Sequence, residues 1–204
     1  MERLILASGS PRRRELLQQL GVSFEVVTAD IAELDSATAP GLAPLQLARE
    51  NALRKAQAVE SLRPDQVILG ADTVVALGPR VMGKPGSLDE AREFLRALSG
   101  QTHEVITACA IVDCGGEEVF HDISRVTFRP LSDEIIARYL AAVHVLDKAG
   151  AYALQEHGDW VIARVEGSET NVIGLPTEML SEILHRRGFN LQKASVILSG
   201  GASA

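Results

Sequence analysis

The sequence predicts a mixed α/β fold, a twisted sheet flanked by helices. Helical and strand-like segments alternate along the whole chain instead of separating into an all-α and an all-β block. The apolar runs are short, and several helical stretches carry a capping residue at their start. With 204 residues, 46% of them hydrophobic, the chain can bury one core of its own, so we expect a single domain over residues 1–189.

Arg3 to Ser8 reads as a buried strand. Ser10 then caps a helix with Pro11 in its first turn, where a missing N–H costs nothing; the helix runs to about Leu20 and stops at Gly21. Phe24 to Val27 is a second strand, and a Pro/Gly loop over residues 40–44 leads into a long helix from about Leu45 to Leu62. Val67 to Leu69 is an apolar strand that the polar Asp72 is expected to interrupt, with Val74 to Leu77 resuming it before the Gly78-Pro79 turn. Ser87 opens a helix through Leu98 by a capping box with Glu90. Glu104–Val112 and Glu117–Phe128 predict a hairpin around Gly115-Gly116, and Ser132 caps a helix to about Ala142. Tyr152–Gln155 and Trp160–Val165 read as strands, Thr177–Arg186 as the last helix, and residues 190–204 as a flexible tail.

The formal net charge of −7 argues against a general nucleic-acid binder. No segment reaches the ~20 apolar residues of a membrane span or has the core of a signal peptide, so we expect a cytoplasmic protein without membrane partners. Cys109 and Cys114 are too few for a disulfide framework and are expected to be reduced thiols. The histidines have neither HxH nor HExxH spacing, and neither a Walker A sequence nor a dinucleotide GxGxxG occurs.

Against this acidic background, Arg12, Arg13 and Arg14 stand in a row directly after Ser8-Gly9-Ser10-Pro11. A small-residue loop entering a helix N-terminus presents free backbone N–H groups and partial positive charge, which favour an anion. Cations placed there are disfavoured, each by up to about 1 kcal/mol, and a bound polyphosphate would reverse that penalty. Ser8, Ser10, Arg12 and Arg13 are therefore candidate phosphate ligands; the plainer alternative has the arginines in water or paired with surface carboxylates. Asp72, set beside Gly70 in an apolar strand, is expensive to bury without a partner such as a divalent ion or an activated water. Its alternative is an Asx turn. Lys55 on the long helix and Lys84 in Gly83-Lys84-Pro85 would add the positive charge that a metal-loaded triphosphate requires.

Taken together, these segments resemble the Maf family of nucleoside triphosphate pyrophosphatases. The residues that carry the resemblance are Ala7 to Arg13, Glu50-Asn51-Ala52 with Lys55-Ala56, Gly70 to Thr73, Gly83 to Pro85, Ser99 to His103, Asp147 to Tyr152 and Asn171 to Pro176. The resemblance implies an elongated Maf/ITPase-like structure with two lobes around a deep cleft, a divalent metal (Mg2+ or Mn2+), a homodimer, and hydrolysis between the α and β phosphates with Asp72 as the catalytic acid. Arg12, Thr73 and Gln155 match the branch acting on dTTP and UTP, for which it implies tolerance of modified pyrimidine nucleotides and a link to cell-division arrest. Glu156, where the family usually has glycine, and Ser168-Glu169-Thr170 depart from the pattern.

In the mechanism we expect, Arg12, Arg13, Lys55 and Lys84 hold the triphosphate while Glu33, flanked by Asp30 and Asp35, joins Asp72 at the metal. Thr73 and Gln155 would read the pyrimidine edge. A nucleotidyltransferase and a non-catalytic, nucleotide-binding regulator of septum formation are the competing readings.

Overall fold

The structure is a computed structural model, and it describes residues 3–191. The expected tail at 190–204 therefore lies almost wholly outside the described residues. The strands are β1 (Leu4–Leu6), β2 (Phe24–Val26), β3 (Val67–Leu77), β4 (Arg80–Met82), β5 (Thr102–Asp113), β6 (Gly116–Phe128) and β7 (Ile162–Glu166). The helices are α1 (Pro11–Gln19), α2 (Pro44–Glu60), α3 (Leu88–Leu98), α4 (Asp133–Ala142), α5 (Gly158–Val161), α6 (Glu169–Ile173) and α7 (Thr177–Arg186), with a 3-10 turn at Ala149–Ala151.

The strands form one seven-stranded sheet in the order β2-β1-β3-β5-β6-β7, with β4 added beside β3. β1 runs parallel to both β2 and β3, and the remaining pairings are antiparallel, so the sheet is mixed as expected. One edge of β3 is shared by two short strands: β1 pairs with Val67–Leu69 and β4 with Val75–Leu77. Between them, from Gly70 to Val74, β3 has a strand partner on its β5 side alone. That interval is where the candidate site lies.

Side chains alternate across a strand, and the two faces of β3 meet different helices. Ile68 and Val74 pack with Leu47, Ala48, Ala52, Ala56 and Val59 of α2. Leu69 and Ala71 pack on the opposite face with Leu16 and Leu17 of α1 and Leu180, Ile183 and Leu184 of α7. A third cluster, built from Phe94, Leu95 and Leu98 of α3, Ile136 and Tyr139 of α4, Val105, Val126 and Phe128, occupies the other end of the long strands. The long strands thus run through two lobes.

The close seating of α2 has a specific cause. A Cβ built on Gly70 would lie 2.2 Å from the Ala52 carbonyl oxygen and 2.8 Å from the Ala56 nitrogen, so only glycine lets the helix backbone rest on the strand. The small Ala48, Ala52 and Ala56, four residues apart, make the matching helix stripe. Ser10, Ser87 and Ser132 cap α1, α3 and α4 by accepting a backbone N–H, as the sequence predicts.

Three local expectations are corrected. β3 is continuous from Val67 to Leu77, because Asp72 stays in register opposite Ala108 while its carboxylate finds partners off the strand. Tyr152–Gln155 is irregular and not a strand: Ala153 N–H is taken by the Tyr139 hydroxyl at 3.0 Å, and the Tyr152 hydroxyl shares a hydrogen bond of 2.7 Å with His103 Nε2. Trp160 and Val161 belong to the single turn α5, and β7 begins at Ile162. Both cysteines are free, with burial pushing the Cys109 thiol up to about 12.

Candidate active site

Asp72 points from β3 to the face covered by α2, and it is 7% exposed. Lys55 reaches it from α2, with Nζ donating to Asp72 Oδ1 at 2.6 Å. The same ammonium lies 2.8 Å from Glu33 Oε1, while Lys84 Nζ stands 3.7 Å from Glu33 Oε2. Two carboxylates from distant parts of the chain thus converge on one cation.

Asn51, four residues before Lys55 on the same helix face, holds this arrangement. Its Oδ1 accepts from Leu34 N–H at 2.8 Å and its Nδ2 donates to Leu34 O at 2.9 Å, which fixes the loop beside Glu33. The same Nδ2 lies 3.4 Å from Asp72 Oδ2. Partial burial works against the charge on Glu33, but Lys55, followed by Lys84 and Arg13, outweighs it and holds the carboxyl below its ordinary value.

On the opposite face of β3, Arg13 fills the unpaired interval. Its Nε donates to Gly174 O at 2.8 Å, Nη1 to Ala71 O at 2.9 Å and to Ser8 Oγ at 3.0 Å, and Nη2 to Thr73 Oγ1 at 3.0 Å. Four of its five N–H donors are committed, and the residue is 8% exposed. Arg13 therefore replaces a missing strand: its guanidinium takes the Ala71 carbonyl that a longer β1 would have covered. Thr73 Oγ1 is also bonded to Thr107 Oγ1, at 3.0 Å.

The three arginines have three different settings. Arg13 is buried in this scaffold, Arg12 pairs with Asp147 (Nη1 to Oδ2 at 3.0 Å), and Arg14 is exposed. Ser10 accepts from Arg13 N at 3.5 Å as the helix cap, and Ser8 Oγ additionally accepts from Ser10 N at 3.4 Å, so both serines shape the loop.

Gln155 stands apart from the other predicted residues, exposed in the turn before α5 and with no side-chain hydrogen bond to the described residues. Sequence reasoning gave no role to Asn51, Asp147 or Lys148, nor to Asn171. Asn171 is fully buried and ties α6 to the sheet through Thr107 N, Val105 O and Ser124 Oγ. A polar residue on the apolar stripe of α2 was a readable signal for Asn51; Asp147 and Lys148 sit in irregular chain and Asn171 in the short α6, where no periodicity is long enough to mark an inward-facing side chain.

Among the described residues no three His, Cys, Asp or Glu side chains cluster to hold a metal by themselves. Glu33 and Asp72 are two carboxylates converging on one positive atom, a set that suits a magnesium ion which keeps waters and takes its remaining ligands from phosphates. A nearby concavity of about 570 Å³, lined by Leu34, Leu42, Leu53 and Val119 with Gln46, Arg49 and Glu50, is largely apolar and does not suit a polyphosphate.

Fold and site define a mixed α/β protein with a charged notch in the sheet where β1 and β4 leave β3 unpaired. The fold is similar to that of the Ham1 protein of Staphylococcus aureus, with a TM-score of 0.54 and 14% identity over 91% of this chain and 100% of that one. The family model described as Maf-like protein matches residues 3–187, and the chain belongs to this family. Relatives include proteins named dTTP/UTP pyrophosphatase from Akkermansia muciniphila, 45% identical over 91% of this chain and 97% of theirs, and from Pelotomaculum thermopropionicum, 43% identical over 94% and 100%.

Proposed function

We propose that this protein hydrolyses nucleoside triphosphates, dTTP and UTP foremost, to the monophosphate and pyrophosphate. The observation that carries the reading is the convergence of Glu33 and Asp72 on Lys55, with Lys84 beside Glu33, Arg13 in the open interval of β3 and Arg12 next to it in the first turn of α1. The names of the relatives support the substrate class.

Arg12, Lys84 and Lys55 bind the triphosphate, and the Ser8-Gly9-Ser10 loop shapes the entry to α1. Arg13 contributes charge and its remaining N–H while framing the loop. Asp72 orients a water and accepts its proton as the water oxygen bonds to phosphorus at the α,β bridge; the bridging P–O bond breaks, and the pyrophosphate departs with the electron pair. Glu33 and Asp72 would hold a divalent cation, Mg2+ or Mn2+, which when bound neutralises phosphate charge. Thr73 and Gln155 read the pyrimidine, because a mismatched base leaves a polar group unpaired.

A homodimer, a cytoplasmic setting, tolerance of modified pyrimidine nucleotides and a link to cell-division arrest complete the proposal. We take residues 1–189 as its single domain. Among the described residues, no helix is long and apolar enough to cross a membrane.

The test is to incubate the protein with each nucleoside triphosphate and Mg2+ or Mn2+ and to measure pyrophosphate. Release fastest from dTTP and UTP is expected. Purine preference would overturn the pyrimidine assignment. Transfer of the nucleotide to a second substrate would make the protein a nucleotidyltransferase, and binding without turnover a regulator.

A further inference from the structure

Lys148 is 5% exposed, yet it is a cation outside the group that holds the phosphates. Its Nζ donates to His144 O at 2.5 Å and lies 3.0 Å from Asp147 Oδ1 and 3.1 Å from Glu156 Oε1, so all three ammonium hydrogens have an acceptor. Asp147 is shared in turn, because its Oδ2 accepts from Arg12 Nη1 at 3.0 Å and its carbonyl lies 3.4 Å from Arg12 Nη2. Arg12, Asp147, Lys148 and Glu156 form a chain of alternating charge from α1 to the turn beside Gln155.

That turn is gripped at Glu156 twice. The Glu156 carboxylate meets Lys148, and its carbonyl lies 3.3 Å from the Tyr139 hydroxyl of α4. The next residue, His157, adopts a left-handed conformation with φ of 52°, which an ordinary side chain disfavours unless its surroundings enforce it. Gln155 itself forms no side-chain hydrogen bond with the described residues, so its backbone is fixed while its amide stays available. The same loop is tied to the Lys84 segment by Gly150 N–H, which donates to Gly83 O at 3.1 Å.

We propose that Glu156 is a positioning residue that sets base specificity: through Lys148 and Asp147 it fixes the Gln155 turn relative to Arg12, so that phosphate and base are gripped at a set separation. The proposal rests on the function stated above. Glu156 acts through its neighbours and touches no reacting atom. An untethered turn lets the Gln155 amide sample many positions, which weakens its hydrogen bond to a pyrimidine and hence the discrimination that an unpaired polar group provides.

The experiment compares kcat and KM for dTTP, UTP, dGTP and dATP in the wild type, Glu156→Ala, Glu156→Gln, Gln155→Ala and the double variant, with thermal midpoints confirming folding. Glu156→Ala is expected to lower the pyrimidine-over-purine ratio of kcat/KM about tenfold, mainly through KM, with a smaller drop for Glu156→Gln. In the Gln155→Ala background, Glu156→Ala should change the ratio no further. An equal loss with every base, or an undiminished effect in that background, overturns the proposal. If the wild type releases no pyrophosphate from any triphosphate, the functional reading fails separately, and the same ratios are then read from equilibrium binding of non-hydrolysable α,β-imido dTTP and dGTP.

Discussion

The Lys55 ammonium rests 2.6 Å from the Asp72 carboxylate, holding on β3 an acid that the surrounding apolar sheet would otherwise reject. Because Lys55 also binds Glu33, the site stores its two negative charges in compensated form.

Replacing Asp72 by asparagine keeps the size of the side chain and a contact for Lys55 but removes the proton acceptor. Pyrophosphate release is expected to fall by roughly two orders of magnitude or more, with a far-UV circular dichroism spectrum like that of the parent. Full turnover in Asp72→Asn would remove Asp72 from the chemistry.

Arg13→Lys keeps the charge but cannot span Gly174 O, Ala71 O, Ser8 Oγ and Thr73 Oγ1. Acceptors left unpaired in a buried notch cost about 1–3 kcal/mol each when water cannot reach them. Urea unfolding should show a loss of at least about 2 kcal/mol, accompanied by loss of activity. Unchanged stability would mean that Arg13 is not a structural brace.

Gly70→Ala introduces a methyl 2.2 Å from the Ala52 carbonyl, a contact that only a shift of α2 can relieve. Overpacking of this kind costs about 1–3 kcal/mol or more. Since α2 also carries Asn51 and Lys55, the helix shift should lower turnover even at temperatures where the variant stays folded. Chemical denaturation and kinetics on one preparation separate the two effects.

His103 is buried between Phe128 and Tyr152, and burial lowers its pKa from 6.5 to about 4. The unfolded chain therefore binds a proton between these values that the folded protein refuses, so stability is full above about pH 6.5 and declines as pH falls toward 4. The loss is on the order of 3 kcal/mol. His103→Gln should flatten denaturation midpoints in that window, and an unchanged slope would assign the acid sensitivity to other groups.

Regular periodicity made much of this architecture readable. The Ser10-Pro11 start of α1, the start of α2 after its Pro/Gly loop and the Ser87 and Ser132 caps all stand where the sequence places them, since each is decided within one or two helical turns. The expected break at Asp72 failed for a different reason: a carboxylate can remain in a continuous strand when a lysine from another element neutralises it, and that pairing bridges residues 55 and 72 through tertiary packing. The reading of Tyr152–Gln155 as a strand failed because its apolar residues pack into the α3–α4 cluster from irregular chain, with the hydroxyls of Tyr139 and Tyr152 directing the path. At the site, motif residues were visible but their division of labour was not. That Arg13 braces backbone while Arg12 faces Asp147 depends on where Gly174 and residue 147 arrive in space.

The unfilled stretch of β3 leaves the sheet deliberately unzipped at one place. Lengthening β1 by a pair of residues, or letting β4 run on past Met82, would supply the missing backbone partner and evict the Arg13 guanidinium, giving a better-sealed sheet with no anchorage for the loop that follows. Insertions next to Ala7 or Met82 are thus a route by which a chain of this design could keep its shape and lose its chemistry.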